Sequence, residues 1–161
     1  MNKKGFTLLE LLMAAAIVTA LASVAVVSYR AKIADAHIED GKNQARALAT
    51  AVRMFELEYS KRPSGAMPAN GPFTAAEVGA CSPTGSPLLP SQLVACNFLE
   101  NRWWGNEYVW LRVCEIADES GQCRDSAIVC MGGRTDNNKV PNKYRRTLFC
   151  VQRTGAEAVY N

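Results

Sequence analysis

From Phe6 to Tyr29 the chain runs without Pro or Gly and with a single charge, Glu10. As a helix this stretch spans roughly 36 Å, enough to cross a bilayer. The rest of the chain is different in kind: beyond Tyr29 lie all six cysteines and nearly all of the charge. Two chemistries are joined end to end in 161 residues, 48% apolar and 20% charged, which supports one domain with a modest core and argues against a disordered chain.

Glu10 decides how the apolar run is read. A secretory signal cut at Ala20-Leu21-Ala22 puts a carboxylate where it obstructs insertion. A plain anchor, oriented by Lys3 and Lys4, leaves the acid unexplained, at a cost of roughly 2.5 to 3.5 kcal/mol. The third reading supplies a partner. If a peptidase cuts between Gly5 and Phe6, the new α-amine of Phe6 lies one turn before Glu10 on the same face. A pair desolvated between packed helices then fixes axial register.

Lys3-Lys4-Gly5-Phe6-Thr7-Leu8-Leu9-Glu10-Leu11-Leu12 resembles the leader and first residues of type IV pilins and of the pseudopilins of type II secretion systems. The resemblance implies a leader at residues 1–5, removed after Gly5 by an inner-membrane prepilin peptidase that also methylates the Phe6 amine. It implies a transmembrane and assembly helix at 6–29, with Glu10, Phe6 and Tyr29 serving the filament. The implied partners are copies of the chain and other pilins, the peptidase, an inner-membrane assembly platform, and lipid before assembly. The implied place is the inner membrane as a single-pass precursor, then an extracellular filament or a periplasmic pseudopilus. Where many members carry a glycine and a proline that loosen this helix, the present chain has Thr19 and Val27.

In the 30–161 globular part, Ala45, Leu48, Val52, Phe55 and Tyr59 recur at spacings of three and four, so the helix continues to about Ser60 as one apolar stripe. Gly41 is its one weak point and a candidate bend. Lys61-Arg62 and Pro63-Ser64-Gly65 stop it. A helix of about 55 residues is far above globular norms, and membrane or filament packing accounts for it. Residues 61–90 hold six prolines and form a surface connection, with a short turn at Thr74 to Val78. Ser91 to Asn101 reads as a short helix capped by Ser91. A sheet is expected over about 106–153, from strands Asn106–Ile116, Arg124–Met131 and Tyr144–Arg153. Asp118-Glu119-Ser120-Gly121 closes the first hairpin, and Gly132-Gly133 begins a longer loop. The expected fold is α+β: a long membrane-spanning helix packed on a small antiparallel sheet, pilin-like and stabilised by disulfides.

An even set of cysteines outside the membrane segment points to an oxidising compartment. Fifteen pairings exist. Cys114–Cys123 flank the hairpin and Cys130–Cys150 sit in strands that can be neighbours, which leaves Cys81–Cys96. A zinc site is disfavoured: there is no Cys-x-x-Cys, and the lone His37 lies far upstream.

The remaining candidates are weaker. His37 with Asp35, Glu39 and Asp40 reads as a solvated helix face rather than an acid/base or metal site. Asp136, Asn137 and Asn138 offer oxygens to calcium, but these residue types are common in turns and the loop lacks an EF-hand pattern. Trp103, Trp104, Tyr108 and Trp110 divide between core and a subunit contact. Lys143, Tyr144, Arg145 and Arg146 are too few for a DNA patch. Without Lys3 and Lys4, 16 basic residues face 15 acidic ones, so nucleic acid is not an expected partner. No catalytic constellation stands out, and neither an enzyme nor a cofactor is expected. The expectation is a structural subunit of a type IV pilus. The alternatives are a secretion pseudopilin or minor pilin, or a DNA-binding or adhesive pilin.

Overall fold

The computed structural model describes residues 7–85, 87–114, 123 and 126–160, except for the side chain of Val27. One helix dominates it: α1 runs Leu8–Tyr59, 52 residues and about 78 Å. It starts where Thr7 caps it and ends where Ser60 turns left-handed (φ 54°), the Ser60 N–H closing on the Glu56 carbonyl at 2.8 Å. There is no break at Gly41.

The second half of α1 is the spine of a globular domain. Ala34, Ile38, Ala45, Leu48, Val52 and Phe55 are all buried, Leu48, Val52 and Phe55 completely. Each of those three side chains contributes roughly 1.5 to 3 kcal/mol relative to exposure. They rest on a five-stranded antiparallel sheet ordered as in the chain: β1 (Gly65–Ala66), β2 (Val109–Val113), β3 (Ala127–Gly133), β4 (Leu148–Gln152) and β5 (Glu157–Tyr160). In β2 the alternation sends Val109, Leu111 and Val113 into the core, with Trp110 and Arg112 only partly buried between them. β3 is buried on both faces, because Val129 and Met131 join the core beneath α1 while Cys130 joins a second apolar cluster with Cys114, Cys123, Leu148 and Cys150.

Among the described residues there are three further, short helices: α2 (Ala75–Val78), α3 (Ser91–Ala95) and α4 (Asn142–Arg145). The proline-rich connection inserts Met67, Phe73 and Leu88 into the core and ties itself to β2 through the Met67 N–H on the Leu111 carbonyl, 2.9 Å.

Several local expectations give way to tertiary contacts. Gly132 and Gly133 do not begin a loop but end β3. A Cβ at Gly132 would meet the Trp110 ring at 2.6 Å, and one at Gly133 the Tyr144 carbonyl oxygen at 2.5 Å. The strand expected from Tyr144 starts only at Leu148, since Pro141 initiates α4 and the Tyr144 hydroxyl is held by Asp35 at 2.6 Å. Ser91 is buried and is the first helical residue of α3, with Pro90 in the cap position, and α3 stops at Ala95. The strands β1 and β5 were not expected. The turn at Asp118–Gly121 lies outside the described residues.

Gly41 marks closest approach rather than a bend, since a Cβ there would lie 2.6 Å from Val109 Cγ2 and 3.2 Å from Met131 Sδ. Gly41→Ala gains about 1 kcal/mol in helix propensity but overpacks the helix–sheet contact at a cost of about 1 to 3 kcal/mol. The expected result is a net loss near 1 kcal/mol, read from the urea midpoint at unchanged slope. A variant at least as stable as the parent would mean that α1 can lift off β2 freely.

Candidate functional site

The first half of α1 has nothing packed on it. Every described side chain from Thr7 to Tyr29 is exposed, among them Leu8, Leu9, Leu11, Leu12, Met13, Ile17, Val18, Leu21, Val24 and Val26, and this part of the helix is long and apolar enough to cross a membrane. A helix apolar all round is a membrane span or part of a larger packed core. Two of its hydroxyls are satisfied by the helix's own backbone. The Thr19 hydroxyl donates to the Ala15 and Ala16 carbonyls at 3.0 and 2.9 Å, and the Ser23 hydroxyl to Ala20 at 2.7 Å. Back-bonding of this kind removes the cost of a hydroxyl in hydrocarbon.

Glu10 is the exception that carries information. It is the third helical residue and closes a capping box: Oε2 accepts from the Thr7 N–H and the Thr7 hydroxyl, both at 2.9 Å, and Thr7 Oγ1 accepts from the Glu10 N–H at 3.3 Å. The Thr-x-x-Glu spacing is legible in the sequence and signals a helix start at Leu8. The carboxylate therefore points back along the chain, toward the backbone that follows Phe6. Gly5 and Phe6 lie outside the described residues. Tyr29 is exposed at the end of the apolar run.

The other candidate residues do not come together. His37 stacks on Tyr108 with ring centroids 4.4 Å apart and planes at 10°. Asp35 is held below the usual carboxylate range by hydrogen bonds from Tyr144 and Lys143. Glu39 pairs with Lys42 at 2.6 Å, and Asp40 accepts from Gln44 at 2.7 Å. Among the described residues no group of three or more His, Cys, Asp or Glu side chains could hold a metal ion. Both oxygens of Asp136 face Arg134 at 3.1 and 2.8 Å, which keeps that carboxyl below its ordinary range. The Asn137 side-chain oxygen accepts from the Lys139 N–H and its backbone carbonyl from Arg145.

The basic residues near Tyr144 also turn to structural work: Lys143 to Asp35, Arg145 to the Val140 and Asn137 carbonyls. The aromatic residues separate, with Trp104 buried and its indole N–H on the Glu100 carbonyl at 2.9 Å, Tyr108 buried, Trp110 over Gly132, and Trp103 exposed. The cysteines form three disulfides, Cys81–Cys96, Cys114–Cys123 and Cys130–Cys150.

What remains is an unpacked apolar helix half, headed by a capped acid and continuous along α1 with a disulfide-bonded α+β domain. No curated protein and no solved structure matches the chain. Residues 1–26 match the family model described as Prokaryotic N-terminal methylation motif, so the chain carries at its N-terminus the leader signature of type IV pilins and pseudopilins.

Proposed function

We propose that the chain is a structural subunit of a type IV pilus, held in the inner membrane by residues 6–29, cut after Gly5, methylated on Phe6 and polymerised through its N-terminal helix. The observation that carries this reading is the coincidence of the methylation motif with a helix half that is apolar on all sides and unpacked. Monomer and polymer then offer the same segment two apolar environments, first lipid and afterwards the bundled helices of neighbouring copies. The role is structural, with no reaction assigned to the chain and no cofactor or calcium required.

Cleavage supplies the charge that Glu10 lacks. Hydrolysis of the Gly5–Phe6 bond leaves a carboxylate on Gly5 and an amine on Phe6. Covalent geometry keeps the Phe6 nitrogen within about 4 Å of the Thr7 nitrogen, which is itself 2.9 Å from the Glu10 carboxylate. The amine can meet Glu10 of its own chain or of a neighbour and set the stagger between helices.

The test is the mass and N-terminal sequence of the chain recovered from native membranes and fibres. The expected mature chain starts at Phe6, five residues shorter than the precursor, with one methyl group on its amine. Replacing Gly5 with a bulky residue should leave full-length precursor in the membrane. A fibre subunit that begins at Met1 or at Ser23 would overturn the reading. Abundant visible fibres fit a major pilin, and a scarce periplasmic product fits a pseudopilin or minor pilin.

A further inference from the structure

On the side of α1 that carries Arg53 and Glu56, away from Glu58, the charges do not balance. Glu56 is held by two guanidiniums, with Arg62 Nη2 at 2.9 and 3.0 Å from its oxygens and Arg153 Nη2 at 2.7 Å. Arg53, three residues earlier on the helix, meets no carboxylate among the described residues. Its Nη2 donates to the Gln152 carbonyl at 2.7 Å, and its guanidinium lies along the bare backbone of Gly155, where a Cβ would stand 3.5 Å away. Three guanidiniums against one carboxylate leave two positive charges. The negative end of the helix dipole offsets only about half a charge.

Elsewhere along this flank the charges pair one to one, Lys42 with Glu39 and Arg46 with Glu157. The excess is thus local, and it borders a recess of about 480 Å³ lined by Arg53, Glu56, Leu57, Ser60 and Arg153. Ser60 stands at its rim in the left-handed conformation (φ 54°), unusual for a residue with a side chain, and its hydroxyl has no partner among the described residues.

We propose that this recess binds a phosphate group, inorganic or as a monoester, through the guanidiniums of Arg53 and Arg153 and the hydroxyl of Ser60. A phosphate monoester carries about −1.5 to −2 at pH 7, which matches the local excess, and planar guanidiniums are well suited to its oxygens. The recess is larger than a phosphate group alone. Leu57, 83% exposed, adds an apolar wall for the organic part of a monoester. The phosphate is a soluble one: the helix from Tyr29 to Tyr59 places the site about 45 Å from the end of the apolar run, beyond the headgroups of the bilayer that holds it.

The test is calorimetric titration of the full chain in an uncharged detergent with inorganic phosphate, glycerol 3-phosphate and a DNA duplex, against sodium chloride at equal ionic strength. Saturable binding of phosphate is expected, with glycerol 3-phosphate bound at least as tightly. Arg153→Gln should weaken both by about tenfold or more. The Arg153 side chain is 67% exposed, and Glu56 keeps Arg62 without it, so the variant should fold, as a circular-dichroism melt would verify. Arg53→Gln and Ser60→Ala are independent checks on the other two donors. Heats no different from chloride, binding unchanged in the Arg153 and Arg53 variants, or a duplex that binds more tightly than the monoester would each overturn the proposal. The last result would make this flank a polyanion surface. Filament assembly is not needed for any of these measurements, so their failure leaves the pilin reading untouched.

Discussion

Glu10→Ala is expected to insert into the membrane as well as the parent and to reduce filament yield at least about tenfold. Insertion should not suffer, because the substitution removes a carboxylate that costs roughly 2.5 to 3.5 kcal/mol in hydrocarbon. Assembly should, because a tenfold loss at each addition needs only about 1.4 kcal/mol, and a charge pair desolvated between helices is worth at least that when one partner is removed. The capping box complicates the result, since alanine also releases the Thr7 N–H. Glu10→Gln separates the two roles: glutamine at this position retains the box but carries no charge. If pairing with the Phe6 amine sets the stagger, glutamine fails as alanine does. Normal fibres from Glu10→Gln, counted by electron microscopy at equal membrane content, would assign the residue to helix initiation alone.

The second large effect is expected on stability, from replacing Cys130 and Cys150 together by alanine. The bond closes a loop with a sequence separation of 20, for which the chain-entropy estimate is about 3 kcal/mol. The Cys81–Cys96 bond, with a separation of 15, differs on that ground by only about 0.3 kcal/mol. Packing separates them. Cys130 and Cys150 face each other across β3 and β4 and are fully buried in the outer apolar cluster, whereas Cys81 is exposed. The Cys130–Cys150 pair should therefore cost about 1 kcal/mol more than the Cys81–Cys96 pair, as the lost sulfur contacts add to the entropy. Denaturant midpoints of the two double variants decide it, and an equal or larger loss at Cys81–Cys96 would show that burial adds nothing here.

The parts of this fold that were legible in the sequence are those dictated by near neighbours. The stripe from Ala45 to Tyr59 is a local periodicity, and the structure buries Ala45, Leu48, Val52 and Phe55 against the sheet and packs Tyr59 partly against the core. Glu10 stood out because one charge in an apolar run needs a reason, and its local partner, Thr7, stands only one helical turn before it. What escaped depends on distant chain. Gly132 and Gly133 look like turn residues until Trp110 and Tyr144 arrive to fill the space above them. Strand β1 is two residues long and exists only because Arg112 and Val113 lie alongside. The arginine recess joins positions 97 residues apart, Glu56 and Arg153, and no spacing rule within either segment could announce it.

The unbroken course of α1 bears on how such a polymer would respond to load. Proline would delete a backbone hydrogen bond and glycine would soften its turn, and between Leu8 and Tyr59 the sole residue of either kind, Gly41, is clamped against β2. In the polymer proposed above, a rod of this construction would offer no proline, and no glycine but Gly41, at which to uncoil. Pulled along its axis, a fibre of these subunits would yield by sliding rod past rod, and its stiffness would be set by the grip between copies.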